Sequence, residues 1–190
     1  MNVSVIGFQG VRDELRRVEA DDLTLSLTKT YAEAFAGGDW NEKHDPKELL
    51  AKWDGLIRSG RRAFLECRRN SVVVGGGAFA SLKNFPDKID LLPDCCLNSF
   101  FIEELWVTPE FQGKQIGRFI LVNMEQMILD SGSKKISLWT HQTSKRLNKF
   151  YSVNGYQAVH DVLPNDSHIK RKVFYKNLDT PVPIGGHRHA

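Results

Sequence analysis

Apolar positions along this chain recur at two different spacings, and the order of the two predicts the architecture. "VSVIGF" near the start reads as a first strand. In "DDLTLSLTKTYAEAFAG", Leu27, Tyr31, Ala34 and Phe35 return at helical spacing before Gly37 and Gly38 stop the pattern. A second helix is predicted in "HDPKELLAKWDGLIRSG", where Asp45 suits the cap, Pro46 the first helical position and Glu48 a capping box. The period then shortens. "RAFLECRR" and "SVVVGGGAFASLK" flank Asn70 as a hairpin, a polar excursion "NFPDKIDLLPD" follows, and "NSFFIEELWV" reads as the next strand.

Helical spacing returns from Gln115 to Leu129 through Ile116, Ile120, Met124, Met127 and Ile128. Strand "ISLWT", helix "SKRLNKFYSVNG" and strands "YQAVH" and "IKRKVFYK" complete the order. Strands interrupted by helices in this order predict an α+β fold, a mixed, mostly antiparallel sheet of about six to seven strands flanked by about four helices. The strand–helix–strand unit from Phe100 to Thr140 requires its two strands, the fourth and fifth of the chain, to run parallel. Residues 1–178 are expected to form one domain and residues 179–190 a disordered tail.

Composition removes whole classes of function. The 190 residues carry a net charge of +3, too little to argue for nucleic acid, and aromatic and basic residues do not interleave on one strand face. No apolar run approaches the roughly 20 residues of a membrane span, and the start lacks a signal-peptide pattern, which points to the cytoplasm. Cys67 and the adjacent Cys95 and Cys96 match no disulfide framework and no metal-ligand spacing. His187 and His189 lie in the tail, so no metal is expected. Homodimerisation is left open.

The chemistry concentrates in "VTPEFQGKQIGRFIL", residues 107 to 121. A strand gives way there to a helix, and the first turn of a helix leaves backbone N–H groups without partners. Those donors suit an anion such as a pyrophosphate, and glycine lets its oxygens approach the main chain. Lys114 and Arg118 add positive charge. No Walker spacing is present. "GGGAFA" at Gly75 to Ala80 lacks the helix a dinucleotide turn requires, and its glycines mark a bulge or a close backbone approach.

This stretch resembles the central motif of the GNAT superfamily of acyl-CoA-dependent N-acetyltransferases, Q/R-x-x-G-x-G/A. Gln112 stands at the first position and Gly117 at the last, with Gln115 in place of the middle glycine. "NKFYSVNGYQ" resembles a later motif of that family, F-Y-x-x-x-G-F, through Phe150, Tyr151, Gly155 and Tyr156. The element order is also similar to the family's.

The resemblance implies that the fourth strand splays from the fifth and that the pantetheine arm of acetyl-CoA, the co-substrate, lies in the gap. Backbone groups of Leu105, Trp106 and Val107 would pair with it, and those of Gln112, Gly113, Lys114, Gln115, Ile116, Gly117 and Arg118 would hold the pyrophosphate. Ser144 and Leu147 occupy places where relatives often carry Asn and Ala, which makes Ser144 the candidate side chain for pantetheine. Tyr151 is the candidate acid for the departing sulfur. Strand alternation sends Glu103 and Glu104 to opposite faces, so either could serve as base, with Glu104 preferred. The segment between the first two helices would line the acceptor pocket, and Asp39, Trp40 and Glu42 suit a cationic amine. The expected activity is acetyl transfer to a primary amine of a small molecule by direct attack; a protein amine as acceptor and a non-catalytic acyl-CoA sensor are the alternatives.

Overall fold

The computed structural model describes residues 2–6, 12–37, 41–164 and 168–179. Asp39, Trp40 and the tail from residue 180 lie outside the described residues. Strand β1 (Asn2–Ile6) pairs with β2 (Arg12–Val18), and a 3-10 turn at Ala20–Asp22 leads to helix α1 (Leu25–Phe35). Helix α2 (Pro46–Arg58) begins as its sequence requires, because Asp45 accepts hydrogen bonds from the amides of Lys47 at 2.7 Å and Glu48 at 3.3 Å. The hairpin of β3 (Ala63–Arg69) and β4 (Val72–Ser81) turns at Asn70 and Ser71, both with positive φ. A segment holding the short helix α3 (Pro86–Ile89) then returns the chain to β5 (Phe100–Val107). Helix α4 (Ile116–Asp130), β6 (Lys135–His141), α5 (Lys145–Val153), β7 (Gln157–Val162) and β8 (Arg171–Asn177) follow.

Among the described residues, eight strands form one sheet in the order β1-β2-β3-β4-β5-β6-β8-β7. Every pairing is antiparallel except that of β5 with β6, which is the parallel pair the sequence requires. The strand without a counterpart in the sequence reading is β2. It buries Leu15 against one face of the sheet and Val18 against the other, and ion pairs of Asp13 with Arg69 and of Arg16 with Glu66 tie it to β3. A strand that buries so little and carries charge elsewhere shows no clean alternation. The first helix starts at Leu25 rather than at Asp21 and Asp22, which lie in the 3-10 turn, and Thr24, just before Leu25, is extended as the helix cap.

Two layers of side chains cover the sheet. On one face α4 and α5 pack through Ile116, Ile120, Leu121, Met124 and Tyr151. On the other, α1 and α2 pack through Leu27, Tyr31 and Trp53, and the α3 segment packs through Leu82, Phe85 and Cys96. Burial of this apolar surface is the dominant stabilising term. The glycines of β4 serve close approach, as their sequence setting suggests: a Cβ on Gly76 would lie 2.4 Å from the Leu65 carbonyl oxygen and 2.5 Å from the Trp106 ring.

Candidate active site

The site begins where the parallel pair stops pairing. β5 and β6 are joined from Phe100↔Ile136 to Ile102↔Leu138, and Ser99, just before this stretch, shares a buried 2.7 Å hydroxyl hydrogen bond with Ser137 within it. Both strands continue, to Val107 and to His141, with no further pairing between them. From Glu103 onward, the edge of β5 that faces β6 has no strand partner. This is the expected splay.

At that fork β5 carries a bulge. Its register with β4 jumps from Ala78↔Glu104 to Phe79↔Ile102, leaving Glu103 as the extra residue. The bulge reverses the side-chain parity of the strand. Phe101 before it and Trp106 after it both face the α1–α3 side. Glu103 and Glu104 consequently share that face and line one cavity, contrary to the opposite faces that plain alternation predicts.

The two glutamates have different surroundings. Glu103 accepts a 2.6 Å hydrogen bond from Arg62 Nε, and the Arg62 guanidinium lies 3.5 Å above the Phe85 ring. Glu104 meets the hydroxyl of Tyr31 on α1. Burial, and next the charge of Glu103, push its carboxyl up to about 8; Glu42 adds to the rise, while Tyr31 and Lys52 oppose it. A carboxyl poised there is partly ionised near neutral pH, as a general base requires. Across the fork, Tyr151 packs its ring against Phe150, Tyr156 and Phe174. Tyr151 also lines the cavity. Burial, followed by the charge of Glu104, raises its pKa well above the ordinary tyrosine value, so it keeps its proton.

Beyond Val107 the chain forms the loop that the sequence leads one to expect for an anion. Among the described residues, no backbone N–H from Gly113 to Arg118 bonds to a main-chain carbonyl; the Phe119 amide is the first to do so, reaching Gln115 O at 3.0 Å. Gly113 has φ +75, and Gln115, in the left-handed region at φ 63, caps α4. The left-handed turn therefore forms without the family's middle glycine. Gln112 secures the loop, donating from Nε2 to Val107 O at 3.0 Å and accepting from Arg146 Nη1 at 2.5 Å. Glutamine in that conformation is strained by about 1 kcal/mol. Gln115→Gly is accordingly expected to leave the melting temperature level or slightly higher while the loop still binds coenzyme A, which thermal denaturation and calorimetry would check.

A single cavity of about 790 Å³ links these parts, from Gly113, Gln115, Gly117 and Arg118, past Leu105, Trp106 and Val107, to Tyr31, Phe35 and Glu42 on the far face. Of the residues expected from sequence, Ile116 contributes only its amide, because its side chain is in the core. Lys114 is exposed beside the Phe111 ring. Ser144 is buried away from the cavity as the cap of α5, accepting from the Leu147 amide at 3.4 Å. Glu42 does reach the cavity, with Oε2 2.8 Å from His44 Nε2. Tyr31, Arg62, Lys88 and Arg146 were not singled out. Tyr31 sits on the apolar stripe of α1 and looks like core. Arg62 and Lys88 act through contacts that no local spacing encodes. Arg146 alone left a signal, a cation in the motif-bearing helix.

A splayed parallel pair, with a bulged strand at the fork, and a run of unpaired amides at the mouth stand together here, and the splay and the amides are the features that the sequence resemblance leads one to expect. The chain matches the model of the acetyltransferase (GNAT) family over residues 24–156, and it belongs to that family. It is an acyl-CoA-dependent N-acetyltransferase with acetyl-CoA as donor.

Two relatives by sequence are an uncharacterized N-acetyltransferase of Archaeoglobus fulgidus and a spermidine N(1)-acetyltransferase of Thermoplasma acidophilum. The first is 26% identical over 151 residues, 73% of this chain and 89% of its own length. The second is 24% identical over 173 residues, 84% of this chain and 96% of its own. Among solved structures, PaiA N-acetyltransferase from Thermoplasma acidophilum in complex with coenzyme A superposes with a TM-score of 0.59 at 18% identity, covering 87% of this chain and 98% of its own. An acetyltransferase from Salmonella typhimurium with its cofactor acetyl-CoA gives 0.64 at 17% identity, covering 87% and 94%. These structures share the fold.

Proposed function

We propose that this N-acetyltransferase moves the acetyl group of acetyl-CoA to a primary amine of a small, cationic acceptor by direct attack within a ternary complex. One observation carries the reading: a single cavity runs from the unpaired amides at Gly113–Arg118, through the fork, to the Glu104 carboxyl. The amides would take the pyrophosphate, and the free edge of β5 would pair with pantetheine. The amine would approach from the α1 face, where Glu42 and Glu104 favour an ammonium. The spermidine acetyltransferase among its relatives supports a primary amine as the attacking group.

In this reading the ammonium gives a proton to Glu104, and its nitrogen attacks the thioester carbonyl carbon. The C–N bond forms and the C–S bond breaks. The departing thiolate takes a proton from Tyr151, the resulting phenolate takes the second proton from the new amide nitrogen, and Glu104 releases its proton to solvent, leaving a neutral amide and the coenzyme thiol. Glu104 is preferred over Glu103 as base because Arg62 already occupies Glu103.

Thiol release measured against a panel of amines tests the proposal. Intersecting initial-velocity lines are expected, whereas parallel lines would indicate a covalent acetyl-enzyme. Tight binding of acetyl-CoA with no thiol release from any amine would instead support a non-catalytic sensor. Tyr151→Phe is expected to lower kcat by about tenfold to a hundredfold. The loss is modest because an ordinary thiol, with a pKa of about 8.5, already leaves readily.

A further inference from the structure

The acceptor half of the cavity is bipolar. Its β5 prong carries Glu103, covered by Arg62, and then Glu104 beside Tyr31. Its β6 prong begins with Trp139, the first residue beyond the last pairing of the two strands, and carries a cation instead. The Lys88 ammonium lies 4.7 Å from the Trp139 ring centre, 5.3 Å from Phe85 and 5.8 Å from Phe101. These three aromatic faces hold it at the fork, where it lines the same cavity as Glu42, Glu103 and Glu104.

The Lys88 side chain is only 14% exposed. Its ion-pair partner among the described residues is its neighbour Asp87, at 3.2 Å and 70% exposed, a solvent-screened contact that leaves most of the charge uncompensated. A polycation filling the pocket would place a second ammonium against Lys88, and like charges brought together in a partly enclosed site repel. An amine that also carries an anion would meet opposite charge at both ends. The aromatic rings around the ammonium restrict its approach, so the anion's position relative to the amine becomes a selected feature.

We infer that the preferred acceptor carries an anionic group, carboxylate or phosphate ester, near its reacting amine, with the anion held by Lys88 and the amine presented to Glu104. The inference rests on the acetyl-transfer reading and narrows its substrate class. It also separates this chain from a preference for simple polyamines.

Matched amines that differ by one anion test it. Lysine is compared with 1,5-diaminopentane, and O-phosphoethanolamine with ethanolamine, by thiol release from acetyl-CoA. At least one anion-bearing member is expected to exceed its partner in kcat/KM by about tenfold or more, and the pair that responds identifies the anion. Lys88→Met should collapse that ratio, Lys88→Glu should invert it, and Lys88→Arg should retain it. Acetyl-CoA affinity measured by calorimetry on each variant separates this effect from misfolding. Preference of the wild-type enzyme for the anion-free member of both pairs, or a ratio indifferent to Lys88→Met, overturns the inference and leaves acetyl transfer standing. Binding of acetyl-CoA with no thiol release from any amine overturns both.

Discussion

Glu104→Gln is expected to lower kcat/KM for acetyl transfer near pH 7.5 by about a thousandfold and to remove the inflection near pH 8 from its pH profile. The size follows from the acceptor. A primary amine with an ordinary pKa of about 10.4 is neutral in roughly one molecule per thousand near pH 7.5, so most attacking molecules must first lose a proton. Glutamine keeps the shape of the site and cannot take that proton. In the wild-type enzyme the carboxyl, pushed up to about 8 by burial, must ionise before it accepts. The wild-type rate should therefore rise with pH and level off above about 8, whereas the variant should keep rising toward the amine's own pKa. An inflection near pH 8 that survives in the variant would reassign the base.

The same substitution should stabilise the fold, which distinguishes catalytic loss from damage. Glu104 has a folded pKa above its ordinary 4.5, so between about 4.5 and 8 the folded state holds a proton that the unfolded state has released. Its presence costs stability as pH rises through that window. A neutral glutamine removes the cost. Near pH 8 and above, Glu104→Gln should melt higher than the wild type, by about 2–4 °C for each kcal/mol regained in a chain of this size. Destabilisation across the whole pH range would mean that the carboxylate is held by favourable contacts rather than burdened by burial.

How much of this was legible in the sequence depended on the range of the contacts involved. The caps, the hairpin at Asn70 and the periodicity of α4 are fixed by residues a few positions apart, and the parallel pair follows from the order of the elements so displayed. The anion loop was legible for the same reason, since it is a local consequence of a helix beginning. β2 was not, because its strand character lies in cross-strand ion pairs to β3. The face of Glu103 and Glu104 was not, because one extra residue in β5 reverses parity and nothing in "FFIEELWV" marks where it falls. Ser144 shows a different limit. A motif position can be filled by a residue whose side chain serves the helix instead, and its cap bond to Leu147 keeps it off the cavity. The acceptor half is assembled from α1, β5, β6 and the α3 segment, elements whose sequence separation hides their proximity.

Gly76→Ala, one added methyl group, is expected to destabilise the protein by about 2–4 kcal/mol, despite its distance from the chemistry. In an ordinary strand, glycine to alanine stabilises by reducing the freedom of the unfolded chain, typically about 0.4–1 kcal/mol. Here the new Cβ would stand 2.4 Å from the Leu65 carbonyl oxygen and 2.5 Å from the Trp106 ring. The first contact is with main chain in the neighbouring strand, so no rotamer change relieves it. The second would displace an indole whose Nε1 donates to Thr30 Oγ1 at 3.1 Å and whose ring packs 5.3 Å from that of Tyr31. Tyr31 in turn meets Glu104. A methyl group on β4 therefore reaches the base through Trp106 and α1. Urea denaturation should show the loss of stability, and in the fraction that folds the apparent pKa of the pH–rate profile should shift as Glu104 loses its partner. A variant as stable as the wild type would mean that Trp106 does not lie across β4, and the support proposed for Tyr31 would fall with it.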